Sequence, residues 1–145
     1  MPADQEPACS LVAATLAEGE RAYGPSEGGQ PPCATAAEMA PPHGAFLVVY
    51  EHGRPVACGG LKRLDDHTAE IKRMYVVAEA RGRGLARSLL GALEEEARRL
   101  GYQSARLDTG PRQPHARSLY ESAGYAVIPA YNSNPFADYW GEKRL

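Results

Sequence analysis

Two apolar runs of different period, Ile71 to Val77 and Leu85 to Leu100, are separated by a short basic turn, Arg81-Gly82-Arg83-Gly84. The first reads as a strand. The second puts Leu85, Leu89, Leu90, Leu93, Ala97 and Leu100 on one helical face. A strand that feeds a helix this directly must have the helix packed back on its own sheet. The next strand, Ala105 to Asp108, is therefore reached by a crossover and lies parallel to the first. Gly101 falls at the C-cap position, and Glu94 with Arg98 and Glu95 with Arg99 are expected as i,i+4 pairs on the outer face. The turn also has a chemical reading. Glycines let backbone approach a ligand, the first N–H groups of a helix point toward negative charge, and arginines add charge-assisted hydrogen bonds. Arg81 to Ala86 thus reads as a cradle for a phosphate-bearing ligand.

The rest of the chain fits one α/β domain over residues 1–145. Ala8 to Tyr23 reads as a helix ended by Gly24-Pro25, and residues 24–44 hold five prolines and four glycines, a loop broken at most by a short helix near Ala34 to Met39. Ala45 to Glu51, Val56 to Leu64 and Thr68 to Val77 read as an antiparallel meander, with Gly59-Gly60 marking a bulge in the second strand. After the crossover, Pro114 to Ser122 reads as a helix closed by Gly124, and Tyr125 to Ile128 and Asp138 to Leu145 as last strands. A polar loop, Ala130 to Ala137, lies between them.

Composition removes several classes of function. Sixteen Lys and Arg against eighteen Asp and Glu give a formal net charge of −2, which argues against nucleic-acid binding. Cys9, Cys33 and Cys58 form no CxxC and no zinc pattern with His43, His52, His67 or His115, so reduced thiols in the cytoplasm are expected and no metal is called for. No apolar run approaches the ~20 residues of a membrane span, and the acidic N-terminus is unlike a signal peptide.

The turn is neither a dinucleotide fingerprint, because Arg87 stands where the third glycine belongs, nor a Walker loop, because no Gly-Lys-Ser/Thr follows. Arg81-Gly82-Arg83-Gly84-Leu85-Ala86 instead resembles the Arg-x-x-Gly-x-Ala motif of the GNAT family of N-acetyltransferases. The run Ala69 to Val76 resembles that family's fourth strand, and Leu107-Asp108-Thr109-Gly110 its fifth strand and following loop. Ala116 to Tyr125, reading A-x-x-L-Y-x-x-x-G-Y, is similar to its second signature. The resemblance covers roughly residues 45–145.

The resemblance implies a mixed, mostly antiparallel sheet flanked by helices, with acetyl-CoA as donor. Arg81, Gly82, Arg83, Gly84, Leu85 and Ala86 would hold its pyrophosphate. Met74, Tyr75 and Val76 would line its pantetheine arm, a main-chain N–H there polarising the thioester carbonyl. His115 and Arg117 would touch the cofactor from the second signature, where the family usually has an Asn and this chain offers Gln113 or His115. Glu70 precedes Arg81 by eleven residues, the spacing of the family's base glutamate. Apolar strand neighbours would raise its pKa toward a useful range; a solvent-facing strand glutamate is the competing reading. Tyr120 matches the signature tyrosine and would protonate the departing thiolate, or else anchor the core. The family's opening strand has no counterpart here, so either the true start lies upstream of Met1 or the sheet is expected to lack that edge.

The acceptor site implied by the resemblance falls on Tyr23 to Pro42 and Tyr131 to Trp140. Tyr23, Glu27, Tyr131 and Asn134 are its candidates, suited to a small polar amine, while Phe136 and Trp140 suit a core equally well. The function expected is acetyl transfer to a small-molecule amine by direct attack in a ternary complex. The rivals are a protein lysine or N-terminal acetyltransferase and a non-catalytic acyl-CoA-binding module, which would need neither Glu70 nor Tyr120. A homodimer is compatible with the family.

Overall fold

Connections too short for a crossover make the first half of the sheet a meander: β1 (Ala45–Glu51), β2 (Arg54–Arg63) and β3 (Thr68–Val76), each antiparallel to the next. The computed structural model describes residues 1–3, 5–7, 10–11, 35–111 and 114–145. A 3-10 turn (Ala78–Ala80) and the glycine turn lead into α1 (Leu85–Arg99), which returns the chain to β4 (Ser104–Thr109), parallel to β3. Then come α2 (Pro114–Ser122), β5 (Ala126–Val127) and β6 (Tyr139–Arg144). The strand order is β1-β2-β3-β4-β6-β5, and β3–β4 is the parallel pair in a sheet otherwise antiparallel. The mixed sheet flanked by helices is as expected, and the described residues hold no strand before Ala45. Most of the expected first helix lies outside the described residues.

Both helices end in the same way. Gly101 donates to Arg98 O and Tyr102 to Ala97 O; Gly124 donates to Glu121 O and Tyr125 to Tyr120 O. This is the Schellman pattern, with the glycine one position past the C-cap. In each case the following tyrosine, Tyr102 or Tyr125, is buried in the core with Leu89, Leu90 and Leu93. A second cluster on the opposite face gathers Ala3, Leu11, Met39, Phe46 and Cys58. Met39 is brought there by a single helical turn that begins in a capping box: Thr35 N–H donates to Glu38 Oε1 and Glu38 N–H to Thr35 Oγ1, at 3.0 and 3.2 Å.

One local expectation is corrected. The surface pairs of α1 are i,i+3, Arg98 with Glu95 and Arg99 with Glu96. Glu94 is turned inward instead, 2.9 Å from Lys143 on β6 and within reach of the Tyr125 hydroxyl, because its position belongs to the face that packs on the sheet. The irregularity expected at Gly59-Gly60 is present, and the extra residue is on the facing strand: Cys58 and Gly60 oppose Tyr75 and Lys72, so β3 carries it. Arg73 takes it up at φ +61°, the left-handed region. The glycines serve packing. A Cβ on Gly59 would stand 2.8 Å from Leu93 Cδ1, and one on Gly60 2.3 Å from Met39 Sδ, so the helix and the second cluster press on the strand from its two faces.

Candidate active site

The parallel pairing of β3 and β4 covers three residues, Thr68, Ala69 and Glu70 against Ser104, Ala105 and Arg106. Beyond Glu70 the strands part. β3 continues against β2 to Val76, and β4 against β6 to Thr109. The sheet therefore opens into a wedge whose apex is Glu70 and one wall of which is Ile71 to Val76. The bulge at Arg73 changes which side chains face the helices. Ala69 and Ile71 pack in the main core before it, whereas Met74 and Val76 do so after it, and Tyr75 turns to the other cluster. The strand bends where it loses its parallel neighbour.

At the far end of that wall sits the glycine turn. Gly82 and Gly84 lie at φ +81° and +79°, with nothing within 4 Å of a Cβ at either, so the conformation itself calls for glycine. Gly84 is the N-cap of α1, has no side-chain cap bond, and is followed by no acidic residue in the first turn. The leading N–H groups and the positive end of the helix dipole thus have no carboxylate to satisfy them. Arg81 Nε donates to Val76 O at 2.9 Å and its guanidinium lies over the Tyr75 ring, which fastens the turn to the end of β3. Arg83 pairs with Glu51 at 2.8 Å, and Arg87 donates to the Ser122 hydroxyl at the end of α2. Backbone conformation and charge here fit a phosphate-bearing ligand.

Around Glu70 the surroundings differ from those expected. Its side chain is 4% exposed, which excludes the solvent-facing reading, yet its partners are polar: Lys72 Nζ at 3.6 Å, Lys62 Nζ at 4.0 Å and Asn132 Nδ2 at 3.4 Å. The apolar neighbours along the strand, Ala69 and Ile71, face the helices, because alternation sends Glu70 and Lys72 to the opposite side. Asp108 on β4 joins them, receiving Asn132 Nδ2 at 2.6 Å and Lys72 Nζ at 3.4 Å. Lys62 also pairs with Glu38 at 2.9 Å; the Thr35 backbone bond and then that contact hold the Glu38 carboxyl below its usual pKa.

Tyr120 lies on α2 with its ring in the core, stacked on Tyr139 and edge-on to Tyr125. Its hydroxyl reaches across to Met74 Sδ at 3.9 Å, so it is both core anchor and wedge group. Burial, and then the charge of Asp108, push its pKa well above the usual phenol value. The phenol is held in its protonated form, as a proton donor requires.

The remaining candidates divide. Tyr131 and Asn134 come to the Glu70–Asp108 cluster. The Tyr131 hydroxyl is buried beside Glu70, its pKa raised by burial and then by the charge and contact of that carboxylate, and Asn134 Nδ2 donates to Asp108 Oδ1 at 3.4 Å. Tyr23, Glu27 and Gln113 lie outside the described residues. His115 is exposed on the first turn of α2, and Arg117 is held by Glu121 at 3.0 Å and over the Tyr139 ring. Trp140 is half-buried, its indole N–H donating to Asn132 Oδ1 at 2.9 Å, so its role is polar as well as packing. Sequence reasoning does not single out Lys62, Lys72 or Asp108 as site residues, and names Asn132 only as one amide of the Tyr131 to Trp140 acceptor segment. The one signal for Asp108 and Lys72 is charge inside strands that read as buried, where ionised groups need partners.

The profile of the acetyltransferase (GNAT) family matches residues 14–125. The chain is 37% identical over 100 residues to the uncharacterized N-acetyltransferase YsnE of Bacillus subtilis (strain 168), a match covering 68% of this chain and 63% of that protein. It thus spans about three-fifths of the length of the curated relatives it matches. Among solved structures, a proposed acyl-CoA N-acyltransferase from Klebsiella pneumoniae subsp. pneumoniae MGH 78578 superposes with a TM-score of 0.78 at 27% identity, covering 100% of this chain and 94% of that one. A GNAT family acetyltransferase from Elizabethkingia anophelis with acetyl-CoA bound shares the fold, with a TM-score of 0.61 at 19% identity over 71% of this chain and 77% of that one. Among the described residues, no helix is long and apolar enough to cross a membrane.

Proposed function

Because the chain belongs to the acetyltransferase (GNAT) family, we propose that it transfers an acetyl group from acetyl-CoA to a primary amine of a small molecule by direct attack within a ternary complex. The observation that carries this reading is the wedge itself, which has a buried carboxylate at its apex, a protonated phenol reaching its wall at Met74, and an uncapped glycine turn at its end. Such an arrangement suits a long ligand with a phosphate-rich end at Arg81 to Ala86 and a reactive end near Glu70. A protein of the same fold holds acetyl-CoA.

Acetyl-CoA supplies the activated acyl carbon. Met74, Tyr75 and Val76 lie on the β3 edge that has no β4 partner, where an extended arm can add as a strand does. Arg81, Gly82, Arg83, Gly84, Leu85 and Ala86 take the pyrophosphate, and His115 and Arg117 lie on the helix that flanks it. Glu70 accepts a proton from the acceptor ammonium, which frees the amine lone pair to attack the thioester carbon. As the N–C bond forms and the C–S bond breaks, Tyr120 gives its proton to the departing thiolate, and the second proton shed by the nitrogen restores the phenol. No covalent enzyme intermediate is required.

On the acceptor side, Tyr131 and Asn134 form the wall nearest Glu70, and Tyr23 and Glu27 remain candidates from the sequence. The carboxylates Glu38, Glu70 and Asp108 exceed the ammonium groups Lys62 and Lys72, which favours a cationic acceptor. Release of CoA thiol from acetyl-CoA, measured against a panel of amino acids, polyamines and amine-bearing antibiotics, tests the reading. At least one small amine should accelerate release; tight acetyl-CoA binding with no release on any amine would make the protein a binding module instead.

A further inference from the structure

We propose that Asn132 is a positioning residue that aims the Glu70 carboxylate and, through the same amide, couples the acceptor-side loop to it. The inference rests on the reading of Glu70 as base. Asn132 Nδ2 donates to Asp108 Oδ2 at 2.6 Å and to Glu70 Oε2 at 3.4 Å, while Oδ1 accepts from Trp140 Nε1 at 2.9 Å and from the Asn134 backbone N–H at 3.2 Å. A carboxamide has two donors and two acceptor sites, and all four are engaged. Its orientation is chemically forced. An indole N–H and a backbone N–H can only donate, so they require the oxygen; the carboxylates in their ionised form can only accept, so they require the nitrogen.

The other charges around Glu70 do not give it direction. Lys62 from β2 and Lys72 from β3 stand at 4.0 and 3.6 Å, farther from Glu70 than the Asn132 amide at 3.4 Å; their freely rotating ammonium groups balance its charge, whereas the planar amide, itself fixed by three other bonds, offers one direction. Asp108 from β4 takes the shorter bond of Asn132 and so anchors the amide, leaving its second N–H to orient Glu70. Arg106 from β4 is turned to Glu142 and the Tyr131 ring.

The same amide shapes the loop. Asn134 N–H bonds Asn132 Oδ1, and Phe136 N–H bonds Asn134 Oδ1 at 3.1 Å, two Asx turns in tandem. The first fixes the backbone immediately after Asn132, and the second carries the effect on to Phe136. An acceptor that presses on Tyr131 or Asn134 therefore acts on the group that aims the base.

A double-mutant cycle between Asn132→Ala and Glu70→Gln tests this, using the fastest amine of the panel and following thiol release. Asn132→Ala should lower kcat about tenfold or more, because small misplacements of a reacting group are costly, while leaving the acetyl-CoA Kd within about twofold. In the Glu70→Gln background the same substitution should cost less than about twofold, since its target is already lost. Equal losses in the two backgrounds would overturn the proposal, as would a raised acceptor KM with kcat intact, which would make Asn132 only part of the acceptor wall. Wild-type turnover in Glu70→Gln alone would instead remove the base reading and the proposal with it. Trp140→Phe, which keeps the ring but deletes the donor that fixes Oδ1, repeats the cycle if Asn132→Ala does not fold. It should show the same lack of additivity with a smaller loss.

Discussion

The two ends of the β3 wedge are built on opposite principles. At Arg81 to Ala86 the working parts are backbone: two left-handed glycines, a helix N-terminus without a cap, and exposed arginines. At Glu70 they are side chains, drawn from β2, β3, β4 and the 130–137 loop, with buried Glu70 and half-buried Asp108 linked through Lys72 and Asn132. An anion site gains by leaving donors unsatisfied until the ligand arrives. A buried carboxylate cannot be left that way, because an unpaired buried charge costs several kcal/mol. The difference between them predicts a division of labour, with binding at the turn and chemistry at the apex.

Glu70→Gln strikes the apex with the largest effect expected. It keeps shape and a hydrogen-bonding oxygen but cannot accept the ammonium proton, so kcat should fall by about 10²–10⁴, the usual worth of a general base, with the acetyl-CoA Kd little changed. Turnover within about twofold of wild type in the variant would transfer the base role elsewhere and break the division at its more important half.

The two ends are also unequally legible in the sequence. The turn is continuous, and its meaning is carried by φ-demanding glycines and by position between strand and helix, so Arg81 to Ala86 is readable together with the α1 face and the parallel crossover. The apex is assembled from residues as far apart as Lys62 and Asn132. Glu70 is found only through its spacing from the turn. Its true surroundings are not, because alternation sends Ala69 and Ile71 to one face and Glu70 to the other, and no local pattern announces which residues meet it there. Asn132 is visible as one amide in a polar loop; the Trp140 and Asp108 bonds that give it a task are long-range. The α1 ion pairs fail for a related reason: matching charges by i,i+4 spacing passes over the fact that Glu94 shares the buried face of Leu90 and Ala97, where its partner Lys143 is tertiary.

Tyr120→Phe tests whether the chemistry extends along the wedge toward the turn. The hydroxyl lies 3.9 Å from Met74 Sδ, a weak contact, so removing it should change stability by less than about 1 kcal/mol. A purely structural tyrosine would then leave kcat alone. As proton donor it should lower kcat on the order of tenfold, below the usual 10²–10⁴ for acid catalysis, because thiolates leave readily. The raised pKa fixes the sign of the pH dependence. The phenol stays protonated past its ordinary value of about 10, so it contributes no alkaline limb below that pH. Any such limb in the wild type belongs to another group and should persist in Tyr120→Phe at the reduced rate.

The smallest effect is expected at the turn, and a matched control isolates it. Gly84 at φ +79° and Gly53 at φ +77° have nothing within 4 Å of where a Cβ would stand, so alanine at either meets backbone strain and no clash. That strain is worth about 1–2 kcal/mol for an L-residue in the left-handed region. Gly53 lies in the β1–β2 turn, and Gly53→Ala should lower stability by that amount without touching acetyl-CoA affinity. Gly84→Ala should lower stability similarly. Part of the strain will be relieved by relaxation of the turn, however, and the leading N–H groups of α1 then no longer converge. Binding must restore them, so the acetyl-CoA Kd should rise severalfold, on the order of 1 kcal/mol, with kcat at saturation unchanged. Equal Kd values in the two variants, measured by calorimetry, would mean that the Gly84 conformation serves the helix start alone, and the anion site would have to be sought among the arginines.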